Sequence, residues 1–219
     1  MATVPKSMER PLTALDVIYG RRSVRSYARK PLDASTIRAL LDAAVQAPTA
    51  VLEQPWRFVV VEDLRVLTSI SDYAKTQLLA EAPAAPGDAA GEAAAVHNAF
   101  RERLEDPAFN LFYDAPALVV ICARHPNPLV IADCWLAAGN LMLAATALGL
   151  GSCCIGGATR ALNSPEVKTL LSMPADVHAI APIVIGVPVG TVAPVPRREP
   201  EIISWREPGR TTWPKRKRH

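Results

Sequence analysis

Between Leu129 and Leu148 the chain carries a single charge, Asp133. Asn127 and Pro128 open this stretch in the manner of a helix N-cap followed by a first-turn proline. A helix apolar on every side belongs at the centre of a large core, at a subunit contact or in a bilayer. Its length would suit a bilayer. Against that, Asp133, Gly139 and Asn140 interrupt it and no anchoring residues flank it. Ala132, Ala137, Ala138, Gly139, Ala144 and Ala145 leave room for another backbone to come close. The expectation is a core or subunit-interface helix around which the other elements are arranged, with no membrane partner.

Those other elements alternate. Thr13 to Tyr19 reads as a short helix, with Thr13 as N-cap, Asp16 three residues on and Gly20 as the stop. A second helix follows Pro31-Leu-Asp33, with Ile37, Leu40, Leu41, Ala44 and Val45 at helical spacing, and Pro48 ends it. Phe58–Val61 is a short β-branched run expected to be a strand buried on both faces. Helices are expected over about 64–79, with Val66, Ile70 and Tyr73 inward, and over about 94–104. Ala115–Cys122 reads as a second buried strand. Gly149 stops the apolar helix before a short strand, Ser164-Pro165 opens another short helix, and 178–187 is a further apolar run. Ile202-Ile203 is a last strand candidate. Continuously apolar strands between helices argue for an α/β or α+β sheet covered on both faces.

At 219 residues, half of them hydrophobic, the chain can bury one sizeable core. The organisation expected is an arm over 1–12, one domain over 13–206 and a basic tail over 207–219. Residues 81–113 form an insert, small and turn-prone over 81–93, that is either a lid or a surface excursion. The formal charge of +3 owes four positive charges to the tail at 215–218. One short tail without aromatic interleaving is a poor nucleic-acid footprint, so no nucleic-acid partner is expected. Cys122, Cys134, Cys153 and Cys154 lie in apolar stretches without C-x-x-C spacing, and the histidines are scattered. They read as buried thiols, with no metal site. Without an apolar leader, the N-terminus suggests a cytoplasmic protein.

The chemistry-bearing stretch is Tyr19-Gly-Arg-Arg-Ser-Val-Arg-Ser-Tyr27. Arg21, Arg22 and Arg25 bracket Ser23 on a turn leaving the first helix. Guanidinium groups are planar forks suited to phosphate oxygens, and each charge-assisted hydrogen bond is worth roughly 1.5–3 kcal/mol. Two or three of them with the Ser23 hydroxyl would hold a phosphate monoester. There is no G-x-G-x-x-G followed by a helix and a ribose-binding acid, which argues against a Rossmann-held nicotinamide. No convincing Ser-His-Asp or Cys-His set is present.

In order along the chain, Arg21-Arg22-Ser23-Val24-Arg25, Ala47-Pro48-Thr49 with Gln54-Pro55-Trp56, Asp133, Ala147-Leu-Gly-Leu-Gly-Ser152, Gly186 and Arg198-x-Pro200 resemble the nitroreductase family of FMN-dependent oxidoreductases. The resemblance runs from about Leu15 to Trp205. It implies a three-layer α+β fold, a central mixed or antiparallel sheet flanked by helices, and an intertwined homodimer with FMN in clefts at the interface. It implies that Arg21, Ser23 and Arg25 hold the FMN phosphate, that Arg22 lies beside the ribityl chain or isoalloxazine edge, and that Arg198 closes on the same phosphate. Pro48, Thr49 and Ala50 would come from the other subunit and pack on the flavin. Ile155, Gly156 and Gly157 would approach its N5 side, where glycine removes a steric obstacle. The family usually has asparagine where this chain has Leu52, so that contact becomes apolar.

The activity implied is ping-pong hydride transfer: NADH or NADPH reduces the flavin, then an electron-poor acceptor such as a nitroaromatic, quinone or enone takes the hydride. Phe112 and Tyr113 either line the substrate pocket or staple the insert. Alternatives are a reductive dehalogenase or oxygen-dependent flavin-fragmenting enzyme of the same fold, and a flavin-storage protein without turnover.

Overall fold

The computed structural model describes residues 12–81 and 92–206. The expected arm over 1–12 (all but its last residue), most of the 81–93 insert and the 207–219 tail lie outside the described residues.

In chain order the elements are α1 (Ala14–Gly20), α2 (Ala34–Ala44), β1 (Arg57–Val61), α3 (Leu64–Glu81), α4 (Glu92–Glu105), β2 (Ala117–Arg124), α5 (Pro128–Ala147), β3 (Gly151–Cys154), α6 (Thr159–Leu162), α7 (Pro165–Leu170) and β4 (Val177–Gly186). Single 3₁₀ turns occupy Ala50–Leu52 and Gly156–Ala158.

The four strands form one antiparallel sheet in the order β1-β2-β4-β3. The central pair, β2 and β4, is buried on both faces. Alternation along β2 sends Ala117, Val119, Ile121 and Ala123 to one face and Leu118, Val120 and Cys122 to the other. On the first face lie α2 and α5, with Leu40, Cys134, Ala137 and Leu141 fully buried. On the second lie α3, α6, α7 and the 109–115 loop, with Ile70, Phe112 and Leu162. The result is three layers, helices over sheet over helices, as the resemblance implied.

Local chemistry accounts for the helix ends. Thr13 and Asp16 close a full capping box on α1. Asn127 accepts from the amides of Leu129 and Val130 at the head of α5, and Ser164 accepts from Val167 at the head of α7. Gly149, at φ 73°, takes the left-handed conformation that stops the chain after α5.

Several expectations need correction. β1 is an edge strand with only Val61 buried, because among the described residues no strand lies beyond it. Gly20 lies inside α1, which ends at Arg21 in an extended conformation rather than at a left-handed glycine. The inward face of α3 is Leu67, Ile70, Ser71, Ala74 and Lys75, so Val66 and Tyr73 pack at its margin. Ile202-Ile203 forms no strand; both side chains are exposed on an irregular segment. The short α6 had no expectation at all. The apolar helix α5 is buried along one face only. Leu129, Ile131, Trp135 and Leu136 remain exposed on the other.

Candidate functional site

The arginine turn is held as an extended segment between two others. Its Val24 amide donates to the Ser152 carbonyl of β3 at 3.0 Å, and Ser23 pairs with Ser152 in a parallel bridge. Downstream, Ala28 donates to the Val187 carbonyl at 2.8 Å, and Val189 donates to Ser26 at 3.0 Å. The buried Tyr27 hydroxyl donates to the Val24 carbonyl at 2.7 Å and closes the turn on itself. Glycine permits this packing. A Cβ on Gly151 would stand 2.7 Å from Val24 Cγ2, and one on Gly186 would stand 2.6 Å from Pro116 Cδ and 2.9 Å from Tyr27 Cδ1.

The turn lines a cavity of about 400 Å³ together with Ile18, Tyr19 and the 192–197 segment. Four arginines face it, Arg21, Arg22, Arg25 and Arg197, with the Ser23 backbone and side chain between them, and no carboxylate lines it. Arg22 folds back so that one terminal nitrogen donates to the Tyr19 and Arg21 carbonyls at 2.7 and 2.9 Å. That contact satisfies the end of α1 and leaves the rest of the fork to the cavity. Beneath the turn sits the Cys153 thiol. Burial pushes its ionisation up, while the Arg25 and Arg21 charges and a hydrogen bond with Ser23 pull it back.

Arg198, expected on the same phosphate, does not line the cavity; its neighbour Arg197 does. The two arginines are adjacent on a segment without regular structure, and only the first of them faces the cavity. Nothing in the sequence separated the two adjacent arginines.

Ile155 is buried, and its amide donates to the Pro182 carbonyl at 2.9 Å. Gly156 and Gly157 follow it on an exposed turn, and nothing stands within 4 Å of where a Cβ on Gly156 would be. Pro48, Thr49, Ala50 and Leu52 lie elsewhere, against α5, and do not line the arginine cavity. The Ala50 amide is bonded to the buried Asp133 carboxylate. Past that bond Val51, Leu52 and Gln54 all have positive φ, at 45°, 58° and 47°, and Val51 and Leu52 are 93% and 83% exposed. Trp56 is a core residue under α2 and α5.

Phe112 is fully buried in the core, so within this chain it faces packing rather than the arginine cavity. Tyr113 is half-buried, with the Arg25 guanidinium 6.0 Å from its ring centroid. No group of metal-ligating side chains occurs among the described residues.

A sequence model of the Nitroreductase family matches residues 18–191. The chain belongs to the nitroreductase family. Relatives of this family include a candidate NADH dehydrogenase/NAD(P)H nitroreductase of Archaeoglobus fulgidus, 29% identical over 80% of this chain and 84% of that one. A 4-nitrobenzoate reductase of Nocardioides sp. strain LMS-CY is 29% identical over 84% of this chain and 87% of that one. Among solved nitroreductase structures, that of Bacteroides fragilis with bound FMN superposes with a TM-score of 0.71 at 27% identity, covering 89% of this chain and 98% of that one.

Proposed function

We propose that this nitroreductase-family chain is an FMN-dependent oxidoreductase that uses a nicotinamide donor to reduce an electron-poor small molecule of nitroaromatic, quinone or enone type. The observation that carries the reading is the carboxylate-free cavity lined by Arg21, Arg22, Ser23, Arg25 and Arg197. Its donor set fits the phosphate end of a mononucleotide.

Arg21, Ser23 and Arg25 would hold that phosphate, and Arg197 would close on it from the end of the chain. The open face at Gly156 leaves backbone free to approach a planar ring, while Leu78 Cδ1 stands 3.4 Å from where a Cβ on Gly157 would be. FMN held by these residues would supply the hydride chemistry that links a nicotinamide donor to the acceptor. The side chains would bind and orient the reactants, and the proton that accompanies each hydride would come from solvent.

The functional unit in this reading is a homodimer. Exposed apolar side chains on α1 (Leu15, Ile18), on α5 (Leu129, Trp135, Leu136) and on the 202–205 segment (Ile202, Ile203, Trp205) call for cover. A second copy would cover them and bring the Thr49–Leu52 loop onto the flavin.

The test is direct. Purified protein should be yellow, bind FMN but not riboflavin tightly, sediment as a dimer, and be bleached by NADH or NADPH under anaerobic conditions. Colourless protein that binds neither flavin would sink the reading. Yellow protein that neither nicotinamide bleaches would point to flavin storage instead.

A further inference from the structure

Beside the arginine cavity, α4 and the loop after it assemble a second cationic cluster. Phe109 and Tyr113 meet edge to face, with centroids 5.8 Å apart at 67°. The Arg103 guanidinium lies 4.5 Å from the Phe109 centroid and 5.9 Å from that of Tyr113. Arg25, from the cavity itself, stands 6.0 Å from Tyr113. The buried Lys75 is 6.0 Å from Phe109, but its ammonium already donates to the Asp106 and Phe109 carbonyls at 2.7 and 2.8 Å.

Arg103 differs from its neighbours in what it leaves unused. Arg101 is paired with Glu105 along the same helix at 2.9 Å. Arg103 has no carboxylate or hydrogen-bond partner among the described residues, and it is exposed. A guanidinium resting on an aromatic ring is held through its face, so its five in-plane N–H donors stay free. Two guanidiniums therefore stand 6.0 and 5.9 Å from the Tyr113 ring centroid without a carboxylate partner among the described residues, and one of them, Arg25, lines the cavity.

We propose that Arg103, seated on Phe109 and Tyr113, is a specificity-determining residue that receives the carboxylate of an aromatic acceptor. This rests on the flavin reading above. The ring pair orients the fork, and Tyr113 offers an aromatic edge to the acceptor whose acid group Arg103 takes. A neutral acceptor of the same shape gains nothing from it.

The experiment uses the FMN-loaded enzyme with 4-nitrobenzoate and its neutral methyl ester as acceptors, comparing the wild type with Arg103→Gln and Arg103→Lys. Arg103→Gln should lower kcat/KM for 4-nitrobenzoate about ten- to a hundredfold, mainly through KM, the loss expected for one charge-assisted bond. The ester should change by less than about twofold on the same arithmetic, and lysine should restore part of the acid's rate. Calorimetric titration with benzoate gives a second readout, its affinity falling in Arg103→Gln with the melting temperature unchanged. Equal losses on acid and ester, or none on either, would overturn the proposal. A loss confined to the NADPH half-reaction would assign Arg103 to a dinucleotide phosphate and overturn it too. If the wild type binds no FMN, the flavin reading fails first and takes this inference with it.

Discussion

The Ala50 amide donates to both carboxylate oxygens of Asp133, at 3.1 and 3.3 Å, across 83 positions of sequence. Asp133 is the only charge in the apolar run of α5 and is buried there. Its carboxylate tethers the loop that carries Thr49 to Leu52 to the central helix. Asp133→Ala removes the acceptor and leaves the Ala50 amide without its partner, which should lower the unfolding free energy by about 1–3 kcal/mol. Asp133→Asn, which keeps one carbonyl acceptor, should lose less. Urea denaturation of the three proteins checks the order, and equal stability of Asp133→Ala and wild type would refute the tether.

Leu52 sits at φ 58°, a conformation that costs a non-glycine residue roughly 1–2 kcal/mol and that asparagine tolerates better. It also exposes its side chain. In an isolated chain Leu52→Asn should therefore raise the denaturation midpoint, by about 0.5–1 kcal/mol in free energy. A second copy packed on Leu52 reverses that sign, because an apolar contact is then lost. Measuring the midpoint as a function of protein concentration separates the two cases, since only a dimer gives a concentration-dependent midpoint.

Gly151 and Val24 are in contact so close that a methyl group on the glycine would lie 2.7–2.9 Å from three atoms of the valine side chain. Gly151→Ala should destabilise by about 1–3 kcal/mol through overpacking and, by displacing the arginine turn, weaken FMN binding. Val24→Ala on the same background opens space for the added methyl and should recover much of the loss. Additive effects of the two substitutions in a thermal melt would count against direct contact.

Burial lifts the Cys122 thiol from its ordinary value near 9 to about 12 and the Cys134 thiol to about 11, and it raises the Tyr27 phenol as well. A group whose native pKa is raised keeps its proton where the unfolded chain has lost it. Its stabilising contribution is complete below about pH 9 and declines as pH rises through the interval between the unfolded and native values. The unfolding free energy should therefore fall between pH 9 and 11, and replacing Cys122 by alanine should flatten that slope. At pH 8 a thiol reagent should label Cys154, the only one of the four not fully buried, well before the others.

Much of the site was legible from residues alone. Three arginines around a serine put cationic donors on one short segment whatever the fold, and the folded chain turns all three onto one cavity. The turn, the short β3, the glycine pair after it and the capped apolar helix all stand where local chemistry put them. What failed were judgements about neighbours. Phe58–Val61 is as β-branched as a central strand, yet it lies at the sheet edge, since burial depends on which strands flank it and not on its own side chains. Phe112 and Tyr113 are adjacent in sequence and part company in space, one into the core and the other beside Arg25.

Residue types and spacing were enough to place an apolar helix against a sheet covered on both faces and to put an arginine-rich turn near the start of the chain. Three relationships came only from the folded chain: Arg197 rather than Arg198 on the cavity, Asp133 on Ala50, and Arg103 on the ring pair beside Arg25. Arg103 lies six and ten residues from its two rings, one of which meets Arg25 from far along the chain, Asp133 is 83 residues from Ala50, and Arg197 is more than 170 from the turn it faces. Caps, turns and periodicity act over a few residues and are written locally. Meetings at that range depend on how whole layers pack, which no single stretch of sequence encodes.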